Sequence, residues 1–136
     1  MKSCDLLIKD TTALIKSVCL MEHVDLAIQD GKILEVGEGI GDSYEADEQL
    51  EGRSKLFMPG LIDSHMHTGQ QLLKGLVLDA KPIIWTRIML PFESTMTRKR
   101  MALSARLAAL EMIKSGTTGF VDAGSYFMEE AAEVFV

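Results

Sequence analysis

The sequence predicts an α/β chain in two parts, a small β-sandwich over residues 1–57 and β/α units over residues 58–136. Three features lead there. Before residue 58 the apolar residues recur with period two, the spacing of half-buried strands. Pro59-Gly60 is a turn signal that introduces the apolar pair Leu61-Ile62. A second apolar stretch, Thr117 to Asp122, follows a segment whose apolar residues recur at helical spacing. A helix between two buried strands gives a parallel β-α-β unit.

In the first part, Leu6 and Ile8 alternate with more polar neighbours, and Leu14 and Ile15 follow a break at Thr11-Thr12. Val24, Leu26 and Ile28 alternate against Asp25 and Gln29. Asp30-Gly31 is a strong hairpin signal, because both central positions of the tight turn need positive φ. Lys32 to Val36 supplies the returning strand, which Gly37, Gly39 and Gly41 end. The acidic run between Asp42 and Glu51 predicts an exposed loop, and Lys55 to Met58 predicts a segment that climbs into the core.

In the second part, Leu61-Ile62 predicts a buried strand. The connection from Thr68 to Thr97 is long and rich in Leu, Ile and Met, with Pro82 and Pro91 as breaks; long connections usually carry function. A helix is predicted from Arg98 to Ser115, with Thr97 as its amino-terminal cap and Gly116 as the left-handed residue that stops it. Met101, Ala105, Ala108 and Met112 form one face, and Leu103, Leu107, Leu110 and Ile113 widen it. Arg98-Lys99-Arg100 opposes the helix dipole by ~0.3–1 kcal/mol per charge. Thr117 to Asp122 predicts a second buried strand, and Met128 to Val136 opens another helix.

Of the 136 residues, 47% are hydrophobic and 25% charged, which is ordinary for a globular protein. A net charge of −6 argues against nucleic acid as a partner, since phosphate binding needs an electropositive face. No apolar run approaches the ~20 residues that span a bilayer. Lys2, Asp5, Lys9 and Asp10 fall where a signal peptide needs an unbroken apolar core. The expectation is a cytoplasmic protein with no membrane partner. Cys4 and Cys19 fit no metal or redox spacing and read as reduced, buried or half-buried apolar residues.

The most informative segment runs from Met58 to His67, Met58-Pro59-Gly60-Leu61-Ile62-Asp63-Ser64-His65-Met66-His67. Side chains of a strand alternate faces, so His65 and His67 leave the same side, close enough to share one metal ion, while Met66 points into packing. This segment resembles the metal-binding opening strand of the amidohydrolase superfamily. Leu72-Leu73-Lys74-Gly75, Trp85, Leu90-Pro91-Phe92-Glu93, Glu111 to Thr118 and Phe120-Val121-Asp122 follow in an order similar to its aminohydrolase branch. That branch contains methylthioadenosine/S-adenosylhomocysteine deaminases and triazine chlorohydrolases.

The resemblance implies a (β/α)₈ barrel preceded by the small β-sandwich. Such a barrel takes about 250 residues, so 136 residues hold only its opening. The expectation is an incomplete amino-terminal portion, inactive alone. The intact protein would be a metal-dependent hydrolase that uses metal-activated water to deaminate an amino-heterocycle such as an adenosine-type nucleoside. His65 and His67 would hold zinc, or another divalent metal such as Fe2+. Later ligands and the general acid/base would lie outside this chain, and no catalytic acid or base is assigned within it.

The same resemblance places Glu93 on the ribose hydroxyls and Trp85 in the substrate-pocket loop. Read from the residues alone, Glu93 is equally a surface acid leading a helix, and Trp85 a packing residue. Asp63 orients an imidazole or steadies the strand–loop junction; Asp122 caps a loop or braces a ligand. Thr68-Gly69-Gln70-Gln71 departs from the more apolar run of the nucleoside deaminases, which leaves other aminated heterocycles open as substrates. Two rival readings are a binuclear cyclic-amide hydrolase or chlorohydrolase of the same superfamily, and a non-catalytic product acting only by association. Sheet edges left unpaired in the small domain would permit homo-oligomers.

Overall fold

The computed structural model describes residues 1–16, 18–77 and 83–136, which divide into two units, Met1–Pro59 and Gly60–Val136. A long strand, β1 (Lys2–Ile15), organises the first unit. β2 (Cys19–Gln29) pairs antiparallel with β1, and β3 (Lys32–Gly37) pairs antiparallel with β2. The turn between them has Asp30 at φ 50° and Gly31 at φ 70°, as the sequence predicts. β4 (Tyr44–Glu51) and β5 (Leu56–Phe57) both run parallel to β1.

Where the sequence predicts a sandwich, the described strands make one sheet in the order β3-β2-β1-β4, with β5 also on β1. The irregular point of this sheet lies at Asp10. From Ile8 to Thr11, β1 takes three steps while β2 takes two, from Leu26 to Val24; from Thr11 to Ala13 the excess passes to β2, between Val24 and Met21. Two bulges therefore face each other, and their left-handed residues are Asp10 (φ 54°) and His23 (φ 56°). His23 Nδ1 lies 2.7 Å from Asp10 Oδ1, and Arg53 Nε donates to Asp10 Oδ2 at 3.0 Å. The bulge divides the outer edge of β1, so that β4 pairs with Lys2–Lys9 and β5 with Thr12–Ala13. It also shifts the alternation: Ile8 and Ala13, an odd number of residues apart, share one core cluster with Val24 and Leu26. Leu7 joins Cys4, Ala27 and Tyr44 in the other. The expected break at Thr11-Thr12 is thus a bulge inside one strand.

The acidic run expected as a loop is β4. Its backbone pairs with β1 whatever its side chains are, and only Tyr44 and Ala46 carry an inward alternation. Glu45, Asp47, Glu48 and Glu51 are exposed on this edge strand, where charge discourages further pairing. In β5, Phe57 packs on the core, but Leu56, and Met58 just after the strand, do not enter it. Cys4 is buried as expected; Cys19 is exposed, at the mouth of β2, and both are free thiols.

In the second unit, β6 (Leu61–Met66) and β7 (Thr117–Asp122) pair in parallel. Gly60 makes their approach possible, because a Cβ there would lie 2.2 Å from the Thr118 side chain. Between the strands come α1 (Leu90–Glu93) and α2 (Arg98–Ser115), and α3 (Met128–Phe135) follows β7. Thr97 caps α2 by accepting the Arg100 N–H at 3.3 Å, and Gly116, at φ 78°, ends it. The positive first turn has a local explanation: Arg98 donates to Glu129 and Glu130, at 2.8 and 2.6 Å, at the start of α3.

Met96, Met101, Ala105 and Ala131 form the core of this unit, with Phe92, Phe127 and Phe135 against them. The widened face of α2 is not covered, since Leu103, Leu110 and Ile113 are exposed. Nor are the strands buried as the sequence predicts; Ile62 is 74% and Val121 60% exposed. A parallel strand is buried only when both faces are covered and both edges paired, and two strands do not close a barrel. Between β6 and α1, Thr68–Leu73 forms 3₁₀ turns and Trp85–Met89 forms wide π-helical turns. Pro91, expected as a break, sits in α1 directly after them. Proline lacks an N–H and crowds the carbonyl four residues back, a misfit that wide turns accommodate. Pro82 lies outside the described residues.

Candidate functional site

β6 carries its chemistry at its carboxyl end. Met66 is buried, and the two histidines flanking it project to the opposite side. The rings of His65 and His67 have centroids 5.1 Å apart at an interplanar angle of 81°. His65 is exposed, and its backbone N–H donates to Asp63 Oδ1 at 3.1 Å. Asp63 therefore steadies the strand backbone and not the imidazole. Nδ1 of His67 is sealed from solvent with no hydrogen-bond partner among the described residues. Such an orphan costs roughly 1–3 kcal/mol unless something binds it, so the His67 ring keeps a nitrogen uncommitted, as a metal ligand does.

Catalytic zinc takes about three protein ligands and leaves one position open. Among the described residues no group of three or more His, Cys, Asp and Glu side chains gathers. The pair fits a metal ion as two ligands of a larger set.

The turn after His67 is fastened on two sides. Asp122, at the end of β7, accepts both the backbone N–H of Thr68 (3.0 Å) and its hydroxyl on Oδ2, and the N–H of Gly124 on Oδ1 at 2.8 Å. From α2, Ser104 Oγ donates to the Thr68 carbonyl at 2.6 Å. Thr68 and Ser104 are both fully buried. Asp122 was legible as a loop-capping residue; Thr68 and Ser104 were not, because a buried hydroxyl has no periodic signature.

Glu93 is 6% exposed, which removes the surface-acid alternative. Gln70 Nε2 donates to its Oε1 at 2.6 Å, and Gln70 stands in the same turn that follows His67. A carboxylate only accepts, so the amide must present its NH2. Trp85 is half-exposed, its ring 5.6 Å from that of His67. Trp85, His67, Gln70 and Glu93 are thus linked in one neighbourhood, which spacing alone did not show.

The Amidohydrolase family pattern matches residues 56–135. The chain belongs to the amidohydrolase family. It is 39% identical over 119 residues to a 5-methylthioadenosine/S-adenosylhomocysteine deaminase of Halalkalibacterium halodurans, covering 85% of this chain and 27% of that protein. It is 33% identical over 132 residues to a 5'-deoxyadenosine deaminase of Methanobrevibacter smithii, covering 91% and 30%. Among solved structures, an adenosine deaminase from Xanthomonas campestris with bound zinc superposes with a TM-score of 0.84 at 24% identity, over 98% of this chain and 32% of that one. An atrazine chlorohydrolase from Arthrobacter aurescens, complexed with zinc and atraton, gives 0.79 at 20% identity, over 95% and 32%.

These likenesses bear out the resemblance drawn from the motifs, including the aminohydrolase branch, and the structural ones show the mixed α/β fold. The chain spans under a third of the length of these relatives. No helix among the described residues is long and apolar enough to cross a membrane.

Proposed function

We propose that this chain carries the first metal-binding strand and part of the substrate pocket of a metal-dependent aminohydrolase. The reaction would replace the amino group of an adenosine-type heterocycle by an oxo group, releasing ammonia. The carrying observation is the histidine pair at the end of β6, with rings 5.1 Å apart and one ring nitrogen buried without a partner among the described residues. The deaminase relatives support the substrate class. In this reading β6, α2 and β7 open a (β/α)₈ barrel, residues 1–57 belong to a companion β domain, and the remaining ligands and the proton-transfer group come from the rest of the fold.

His65 and His67 would hold zinc or another divalent ion through ring nitrogens. Such an ion, when bound, supplies Lewis acidity and nucleophilic water near neutral pH. The other residues position the substrate. Trp85 offers an apolar wall beside His67, suited to a planar heterocycle. Glu93 accepts hydrogen bonds from sugar hydroxyls, and Gln70 fixes the orientation of its carboxylate.

The test is ammonia release from adenosine-type nucleosides by a protein that joins this segment to the remainder of the relatives' length. Chelation and His65→Ala should each abolish turnover. Turnover that survives both overturns the proposal.

A further inference from the structure

We infer that Asp122 is a positioning residue for His67, acting through a bolt made of Thr68 and Ser104. This rests on the reading of His67 as a metal ligand. Thr68 follows His67 directly in the chain, and each of its polar atoms is engaged. Its N–H and its hydroxyl both go to Asp122 on β7, and its carbonyl accepts from Ser104 on α2. Two separate elements therefore fix the peptide that sets the direction of the His67 side chain. β6 alone would not do so, because His67 lies just beyond its last paired residue, Met66. The Ala123 N–H donates to the Met66 carbonyl at 2.9 Å, which ties the same two chain segments together. Packing closes the arrangement: a Cβ on Gly69 would lie 2.8 Å from Ser125 Oγ and 3.2 Å from Met101 Cε, so the turn sits tightly against its neighbours.

The residue types follow from the chemistry. Asp122 receives donors on both oxygens, from Thr68 and from Gly124. Asn at this position would aim an NH2 group at one set of these donors, so it keeps the shape and breaks the bolt. Groups that orient a metal-binding histidine typically govern metal affinity by about ten- to hundredfold. Without the bolt the ring of His67 samples directions in which it and His65 do not converge.

The experiment titrates the 136-residue chain with zinc and follows the ring resonances of His65 and His67 by NMR, beside amide hydrogen exchange without metal. Asp122→Asn and Thr68→Val should weaken zinc binding about tenfold and speed exchange at Gln70, while the amides of residues 1–59 keep their protection. Unchanged affinity in both variants, with His65→Ala abolishing the zinc response, overturns the bolt and leaves the metal site standing. Zinc binding unaffected by His65→Ala and His67→Ala overturns the metal reading itself. If Asp122→Asn unfolds the second unit, Ser104→Ala decides. It removes one bond to Thr68 and should still weaken zinc binding severalfold; wild-type affinity there overturns the inference.

Discussion

Glu93→Gln removes a charge and leaves the volume of the side chain unchanged, which isolates what the carboxylate does for a substrate. Glu93 is 6% exposed, and its Oε1 already accepts a short 2.6 Å bond from Gln70. Oε1 is held by the protein, and in the proposed function Oε2 is the oxygen that would meet a sugar hydroxyl. In the variant the pair can persist in two ways: the new carbonyl oxygen accepts from the Gln70 NH2, or Gln70 turns over and accepts from the new NH2. In either case a sugar hydroxyl meets a neutral amide and no longer an anionic acceptor. Losing a hydrogen bond to a charged group costs ~1.5–3 kcal/mol, and ~1.4 kcal/mol is tenfold in rate. The expected result is a ten- to hundredfold fall in kcat/KM, roughly, for a nucleoside. The free base, which has no sugar, should be spared. The assay compares ammonia release from both by the protein at the relatives' full length, with zinc content measured in parallel and expected to be unchanged. Equal losses on nucleoside and base, or none on either, would assign Glu93 to the fold and refute its place at the sugar.

Three further outcomes are expected. After gel filtration the 136-residue chain should retain well under one equivalent of zinc, since two imidazoles leave the ion short of ligands; stoichiometric, chelator-resistant zinc in metal analysis would refute this. Thr97→Ala, which removes the cap on α2, should destabilise the second unit by about 1 kcal/mol in a denaturant melt, and an unchanged midpoint would show the cap to be idle. The hydrogen bond to Asp10 raises the pKa of His23 above its ordinary 6.5, and the bonds from His23 and then Arg53 lower that of Asp10. A raised histidine stabilises fully below its unfolded pKa and loses that contribution as pH climbs through the folded value. The stability gap between wild type and His23→Gln should therefore be full below the ordinary histidine range and shrink as pH rises above it. It should be small, because His23 is largely exposed; a gap that grows with pH refutes the pairing.

Turn and cap signals are the most legible part of this sequence, although Pro91 sits inside α1 where a break is expected. Asp30-Gly31 turned, Thr97 capped, Gly116 stopped a helix in the left-handed region, and the limits of α2 and β7 fall where the pattern places them. What failed was burial. Leu110 and Ile113 continue the apolar stripe of α2 and so promise a core, but the described residues do not cover them, and they stand exposed. β4 failed in the opposite sense. Its strand rests on backbone bonds to β1, and neither Glu45 nor Glu48 advertises them. The facing bulges at Asp10 and His23 were hidden for a related reason: each is a single residue in an otherwise alternating pattern, and only the register between the strands exposes it.

The site divides along the same line. His65 and His67 were legible because a strand's period of two forces them onto one side, so their relation is local and sequence alone can compute it. Gln70 and Glu93 are 23 positions apart, and Thr68 and Asp122 are 54 apart. Their relations depend on where α1 and β7 return to the end of β6, which no pattern in the intervening residues encodes. Yet the long-range pairs determine what the local pair can do. If the pair holds a metal, as proposed, His67 serves as a ligand best with its ring held in one direction. Asp122 and Ser104, which arrive from the neighbouring strand and the helix between and fix the Thr68 peptide, are the groups inferred to hold it. In the proposed reading a single β-α-β unit would supply both the ligands and the means of aiming them, which would tie the function of β6 to the return of β7 beside it.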